Sequence, residues 1–293
     1  MGGWNTSNIP DQTGKTFIVT GATSGLGAAT ARGLAEAGAH VIMACRNEIK
    51  AQAVAKSIDG RVHVRPLDLA DLSSVRAFAA TVDHADGLIN NAGVMAVPKG
   101  ATADGFETHI GTNYLGHFAL TGLLLERISG RVVNVSNHTH YIGRIDLDDL
   151  HWERRAYTGI GAYAQTKLAL LLFTYELQRR LPTAGSAKLA LAGHPGYAAT
   201  EINSKTQNLF EQFIALGNRL VAQDADMGAL PTLYAATAEV EPGGYYGPDE
   251  WFGFRGHPVR IDSSAASREE KTAQLLWERA EELTGVEFRF PAA

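Results

Sequence analysis

Thr16-Phe17-Ile18-Val19-Thr20, followed at once by Gly21-Ala22-Thr23-Ser24-Gly25-Leu26-Gly27, is the stretch on which the reading of this chain turns. The first five residues are apolar or β-branched, as a buried strand requires, and residues 28–37 read as a helix. Between them the glycines permit a tight turn, close backbone approach and close helix-strand packing. The first-turn N–H groups of the helix then face a space that a pyrophosphate can enter. Glycines also mark ordinary turns. The position of these, after a first strand and at the opening of a first helix, points to a nucleotide site.

Outward from this unit, strand and helix signals alternate. Strands are expected at residues 40–44, entered after Gly38 as a helix-terminating glycine, and at 62–67, 88–90, 131–136 and 188–193, with a short one near Tyr245-Tyr246. Helices are expected at 104–127, at 163–181 stopped by Pro182, at 226–239 and at 267–283. The alternation predicts an α/β fold: one Rossmann-type, doubly wound parallel sheet with helices on both faces. No linker or repeat divides the chain, so residues 1–293 are expected to form a single dinucleotide-binding domain.

With 45% hydrophobic and 19% charged residues, 293 residues can bury a sizeable core. The net charge of −5 comes with no concentrated basic block, which argues against nucleic acid as a partner. The single cysteine, Cys45, excludes an internal disulfide and a thiolate metal cluster, in keeping with a reducing compartment. Residues 1–14 are polar, and the longest apolar run, 168–173, is far shorter than the roughly 20 residues of a membrane span. A cytoplasmic protein without a membrane span is the expectation.

Tyr163-Ala164-Gln165-Thr166-Lys167 places a phenol and an ammonium four positions apart, hence on one face of a helix. Tyrosine ordinarily titrates near pH ~10, too high for a useful base at neutrality, and a nearby cation favours the phenolate. The pair therefore points to acid-base chemistry.

Together with Asn90-Asn91-Ala92-Gly93, Thr112-Asn113-Tyr114-Leu115-Gly116 and Pro195-Gly196, these motifs make the chain, from Lys15 to about Thr200, resemble the short-chain dehydrogenase/reductase family. Tyr114-Leu115-Gly116-His117-Phe118 and His194-Pro195-Gly196-Tyr197-Ala198-Ala199-Thr200 look like its retinol dehydrogenase and protochlorophyllide reductase-like branch. The resemblance implies hydride transfer between a nicotinamide cofactor and an alcohol, aldehyde or ketone. It implies Tyr163 as acid/base, Lys167 as pKa modifier and ribose ligand, and Asn113 in a proton relay. It also implies that Gly21, Thr23, Ser24, Gly25, Leu26 and Gly27 hold the pyrophosphate and that Asp68 and Leu69 flank the adenine. Asn91 and Ala92 would line the ribose path and Thr200 would meet the carboxamide, with Gly93, Pro195 and Gly196 also expected among the cofactor-binding residues. Asp68 could equally cap a helix.

After the second strand comes Ala44-Cys45-Arg46-Asn47, with no acid to grip a ribose 2′-hydroxyl and one arginine suited to a 2′-phosphate, so NADP is expected over NAD. Where the family places a substrate-binding serine, this chain has Asn137, preceded by Ser136. Either Asn137 substitutes for the serine, or the strand end shifts so that Ser136 or Thr139 supplies the hydroxyl.

The interval from Asn137 to Tyr163 is longer than in short family members, and Tyr141, Trp152 and Tyr157 within it could wall the substrate. Residues 201–221 would form the substrate lid, with Leu209, Phe210, Phe213, Ile214 and Leu216 covering a partly apolar site or simply packing in the core. His138, His140 and His151 lack the carboxylate or cysteine company of a metal site, and no metal is expected. Leu168, Leu171 and Leu172 could serve a homo-oligomer contact or the core. The expected activity is an NADP-dependent alcohol/carbonyl oxidoreductase. A nucleotide-binding regulatory or scaffold protein with weakened catalysis, suggested by Asn137 alone, is the rival; carbon-carbon double-bond reduction is a third reading.

Overall fold

A computed structural model of the chain describes residues 3–196 and 224–290. Thr200 and the expected lid, residues 201–221, lie outside the described residues. In chain order the elements are β1 (Thr16–Thr20), α1 (Gly25–Glu36), β2 (His40–Cys45), α2 (Glu48–Ala55), β3 (Arg61–Pro66), α3 (Leu72–Ala80) and β4 (Ala85–Asn90). A π-helical turn, Ile110–Leu115, runs directly into α4 (Gly116–Leu124). Then follow β5 (Ile128–Val135), α5 (Gly159–Thr183), β6 (Leu189–Gly193), α6 (Ala225–Thr237), β7 (Tyr245–Glu250), β8 (Arg255–Arg260) and α7 (Glu270–Thr284).

The strands form one sheet in the order β3-β2-β1-β4-β5-β6-β7-β8, parallel throughout except for β8, which pairs antiparallel with β7. This is the doubly wound α/β sheet that the alternation of elements predicts. Alternate residues of β1 serve opposite faces. Phe17 and Val19 pack with Leu34 of α1 and Leu230 and Leu233 of α6, whereas Ile18 joins Phe118 of α4 and Phe173 of α5. Among the described residues no helix is long and apolar enough to cross a membrane.

Several expectations need correction. Residues 104–107 are not helical: the Asp104 carboxylate instead accepts the Leu72 N–H at the start of α3, 2.9 Å away. Helix α5 begins four residues before Tyr163, capped by Thr158, and runs through Pro182, ending one residue after it rather than before it. The helices α2 and α3 and the strand β8 are not among the expected elements; α3 buries Val75, Phe78 and Ala79 at helical spacing behind its Asp71 cap, whereas α2 and β8 carry little sequence signal. Only Ala51 of α2 is buried, and β8, Arg-Gly-His-Pro-Val-Arg, holds the glycine and proline typical of an edge strand. Leu168, Leu171 and Leu172 are buried within the chain and offer no helix-face contact to a second copy.

The α4/α5 face is covered by the chain itself. Trp277 of α7 is 1% exposed, with its ring centroid 5.2 Å from that of Phe118, 5.6 Å from Phe173 and 4.3 Å from Phe288. The Arg180 guanidinium lies over the same indole, 4.3 Å from its centroid. Trp277→Ala should therefore cost about 3–5 kcal/mol in denaturant unfolding. Leu275→Ala, on the solvent side of the same helix, should stay within about 0.5 kcal/mol of the parent.

Candidate active site

The carboxyl ends of β1 and β4 lie side by side where the strand order reverses, the place where an open parallel sheet leaves a crevice. Gly21 has φ +68°, and a Cβ there would stand 2.8 Å from Ala92 Cα. Gly25 has φ +51°, and a Cβ on Gly27 would stand 2.5 Å from the Gly21 carbonyl oxygen. Asn91 locks the two turns together, its Nδ2 donating to the Thr20 carbonyl at 2.8 Å. Gly93 lets Asn113 close in, since a Cβ would lie 3.2 Å from Asn113 Oδ1.

Ser24 occupies the N-cap of α1, yet its hydroxyl makes no capping hydrogen bond, which leaves the first-turn amides to an incoming anion. Thr23, Ser24 and Leu26 are half-buried around this turn. A backbone cradle that any Cβ would fill, at a helix N-terminus, fits a dinucleotide pyrophosphate.

Arg46 follows β2 with its side chain 73% exposed, 3.9 Å from a carboxylate oxygen of Asp68, which follows β3. The cap of α3 is Asp71, which accepts the Ser73 and Ser74 N–H groups, while Asp68 accepts the Ala70 N–H at 2.9 Å. Leu69 is buried against Gly116. Pro195 and Gly196 follow β6, with Gly196 at φ +69°.

At the other end of the crevice, Tyr163 and Lys167 stand one turn apart on α5, 8% and 4% exposed. Asn137 Nδ2 donates to the Tyr163 hydroxyl oxygen at 2.7 Å. Its Oδ1 already accepts the Thr139 N–H at 3.0 Å and the Thr139 hydroxyl at 2.5 Å, which fixes the amide with its NH₂ group toward the phenol. Ser136 faces the other way: fully buried, it donates to the Lys167 carbonyl at 2.8 Å. Neither Ser136 nor Thr139 supplies a hydroxyl to Tyr163, because Asn137 opens a 3₁₀ turn and takes that position itself.

Lys167 Nζ donates to the Val135 carbonyl at 2.7 Å and lies 5.4 Å from the Tyr163 ring centroid. Burial brings this ammonium down to about 8. Burial likewise pushes the Tyr163 phenol well above its usual range, with the bond from Asn137 pulling the other way. Among the described residues, any depression of the Tyr163 phenol by a neighbouring cation has to work against this desolvation. Asn113 reaches α5 directly at Thr166, to which its Nδ2 donates at 3.2 Å, and holds Val94 as well, its Oδ1 accepting the Val94 N–H at 2.8 Å and its Nδ2 donating to the Val94 carbonyl at 2.9 Å.

Within the long segment between Asn137 and Tyr163, the aromatic side chains expected to cover a substrate are placed differently from one another. Tyr141 is 54% exposed, whereas Tyr157 donates to the Val97 carbonyl at 3.0 Å and Trp152 is buried beside it, rings 5.8 Å apart. Glu107 and His109, which are not among the residues expected at the site, stand beside them. The buried Glu107 carboxylate accepts the His109 ring N–H at 2.9 Å, and the His109 ring stands edge-on to that of Tyr163, centroids 6.5 Å apart. Their signal was a glutamate and a histidine one residue apart with an apolar neighbour on each side, Phe106 and Ile110. His138 touches the His194 ring, His140 bridges the Asn137 carbonyl and the Ser264 N–H, and His151 stacks on Phe106. Among the described residues no group of three metal-ligating side chains converges.

A nucleotide cradle that ends beside a buried tyrosine and lysine belongs to the class of oxidoreductases built on a doubly wound sheet. The family model described as short chain dehydrogenase matches residues 15–146. Retinol dehydrogenase 13 of Homo sapiens is 42% identical over 94% of this chain and 86% of its own length. A solved structure of an uncharacterized protein from Mycobacterium Paratuberculosis is 49% identical, with TM-score 0.89 over 98% of this chain and 100% of that one. A short chain dehydrogenase from Burkholderia cenocepacia, solved in complex with NADP, is 25% identical with TM-score 0.63 over 80% of this chain and 96% of that one. The chain belongs to the short-chain dehydrogenase/reductase family, in its retinol dehydrogenase-like branch.

The desolvated Lys167 makes a pH prediction. Folded, it sheds its proton near pH 8; unfolded, it keeps it to about 10.5, so between those values the unfolded chain binds more protons and stability rises with pH. Measured as the parent minus Lys167→Met, unfolding free energy should climb by on the order of 3 kcal/mol across that window. A difference that stays flat would mean a solvated ammonium.

Proposed function

We propose that this enzyme transfers a hydride between NADP(H) and the alcohol or carbonyl carbon of a partly apolar small molecule. The observation that carries the reading is the bond from Asn137 Nδ2 to the Tyr163 hydroxyl, made beside Lys167 at the carboxyl end of the sheet. Bound in the crevice, the nicotinamide dinucleotide supplies or accepts the hydride. Its pyrophosphate would lie on the turn from Gly21 to Gly27, its ribose path along Asn91, Ala92 and Gly93, and its 2′-phosphate at Arg46.

The rest falls to the protein. An amide NH₂ can only donate, so Asn137 leaves the phenol hydrogen of Tyr163 free to point at a substrate oxygen. In the reductive direction Tyr163 gives that proton to the oxygen and Asn137 stabilises the phenolate left behind; in the oxidative direction the phenolate takes the alcohol proton. Lys167, poised near neutrality by burial, can be drawn from the Val135 carbonyl toward a ribose hydroxyl. A partly apolar substrate is supported by the resemblance to retinol dehydrogenase 13 and by the buried indole of Trp152. The scaffold reading rested on Asn137 being unsuited to the site, and its bond to Tyr163 removes that ground.

Tyr163→Phe should lower kcat by about 10²–10⁴-fold while NADPH binding by fluorescence titration changes less than about twofold; full turnover in this variant would overturn the assignment. For Arg46→Ala, the dissociation constant for NADPH should rise about tenfold or more and that for NADH by less than about twofold, because only NADPH carries the phosphate to pair. Equal losses for the two would remove the NADP preference.

A further inference from the structure

His117 stands in a buried run, Tyr114-Leu115-Gly116-His117-Phe118-Ala119-Leu120, and is itself fully buried. Both of its ring nitrogens are engaged. Nδ1 lies 2.8 Å from the Asn113 carbonyl oxygen and Nε2 lies 2.9 Å from Thr20 Oγ1. A carbonyl only accepts, so Nδ1 carries the hydrogen. Burial lowers the ring to about 4, against the opposing bond to Asn113 and with help from the charge of Lys167, so the imidazole is neutral and Nε2 presents a lone pair.

Thr20 must then be the donor, and its surroundings agree. Its Oγ1 accepts the N–H groups of Asn91 and Ala92 at 2.9 and 3.0 Å, which leaves one hydrogen to give. His117 at 2.9 Å is a closer acceptor than the Ile89 carbonyl at 3.3 Å. The result is a directed chain from the Asn91 and Ala92 amides, through the Thr20 hydroxyl and the imidazole, to the Asn113 carbonyl. Its first half sits where β1 turns into the glycine cradle. Its last member belongs to the π-turn, Ile110–Leu115, and holds Val94 and Thr166.

We propose that His117 is a positioning residue: one imidazole, accepting from Thr20 and donating to Asn113, sets the dinucleotide cradle and the tyrosine-bearing helix in register. This deepens the oxidoreductase reading above and rests on it. The two ring nitrogens divide the task, so replacements that mimic one nitrogen or the other should separate two effects. An asparagine amide nitrogen occupies the place of Nδ1, and a glutamine amide reaches the place of Nε2.

His117→Asn should keep kcat within about threefold and weaken NADPH binding about tenfold, the value of one lost buried hydrogen bond. His117→Gln should do the reverse, lowering kcat about tenfold at nearly constant NADPH affinity. Thr20→Val, which also takes the acceptor from the Asn91 and Ala92 N–H groups, should weaken NADPH binding at least as much as His117→Asn, and adding His117→Asn to it should cost nothing further. Equal loss of both parameters in both variants, or strict additivity with Thr20→Val, would overturn the proposal. Nitrogen-15 NMR of the unmutated protein decides the matter even if the variants fail to fold: His117 should show Nδ1–H only, without titrating from pH 5.5 to 8. An Nε2–H tautomer or a titrating ring would refute the arrangement. These NMR and NADPH-binding readouts need no turnover, so a parent protein that binds NADPH yet reduces nothing would reject the proposed reaction and leave the His117 assignment standing.

Discussion

The close approach of two chain turns, at the ends of β1 and β4, with no side chain between them, is the constraint on which the rest of this site depends. Gly21 is required there twice over, by its positive φ and by Ala92 at the distance where a Cβ would stand. Closing the gap brings the Asn91 and Ala92 amides onto Thr20 and the Asn91 side chain onto the Thr20 carbonyl. One hydroxyl at the end of a strand thereby gathers two backbone donors that would otherwise be costly to bury. The cradle for an anion and the polar thread into α4 are consequences of the same contact.

At the catalytic end the governing effect is desolvation. A buried phenol resists losing its proton and a buried amine resists keeping one, so burial alone drives Tyr163 and Lys167 toward their neutral forms. Neutral partners close together are compatible with a dry pocket in a way that an ion pair is not. They also respond strongly to any charge or donor brought beside them, because little water is present to screen it. Among the described residues Asn137 supplies such a donor to Tyr163, and an amide there gives a direction that a hydroxyl would leave open, since a hydroxyl can rotate to accept.

What the sequence made legible was whatever depends on local pattern. The strand-turn-helix at Thr20 to Gly27, the alternation of elements and the Tyr163/Lys167 spacing are all local, and the sheet order and the shared face of α5 follow from them. Missed features depend on distant partners. α2 buries one alanine and shows little apolar periodicity, and β8 exists because β7 offers it an edge. Ser136 and Asn137 are neighbours in sequence, yet the start of a 3₁₀ turn sends one toward Tyr163 and the other toward the Lys167 carbonyl. His117 looked like part of a family signature, but its role lies in contacts 97 residues away in the chain.

Beside Tyr163, hydrogen bonds hold a carboxylate in a buried position. Burial by itself would raise the Glu107 carboxyl, but hydrogen bonds from the His109 side chain and backbone and from the Ile110 N–H outweigh it and hold the group below its usual range. His109 Nε2 lies 3.3 Å from the Val97 backbone nitrogen, and its Nδ1 lies 2.9 Å from the Glu107 carboxylate. The Tyr157 hydroxyl ties the same group to the Val97 carbonyl. Residues 94–97 are thus clamped at one end by Asn113 and at the other by His109 and Tyr157. A short loop held at both ends by buried side chains has few ways to relax, so the shape of the site on that side of Tyr163 is set by the fold before any substrate arrives.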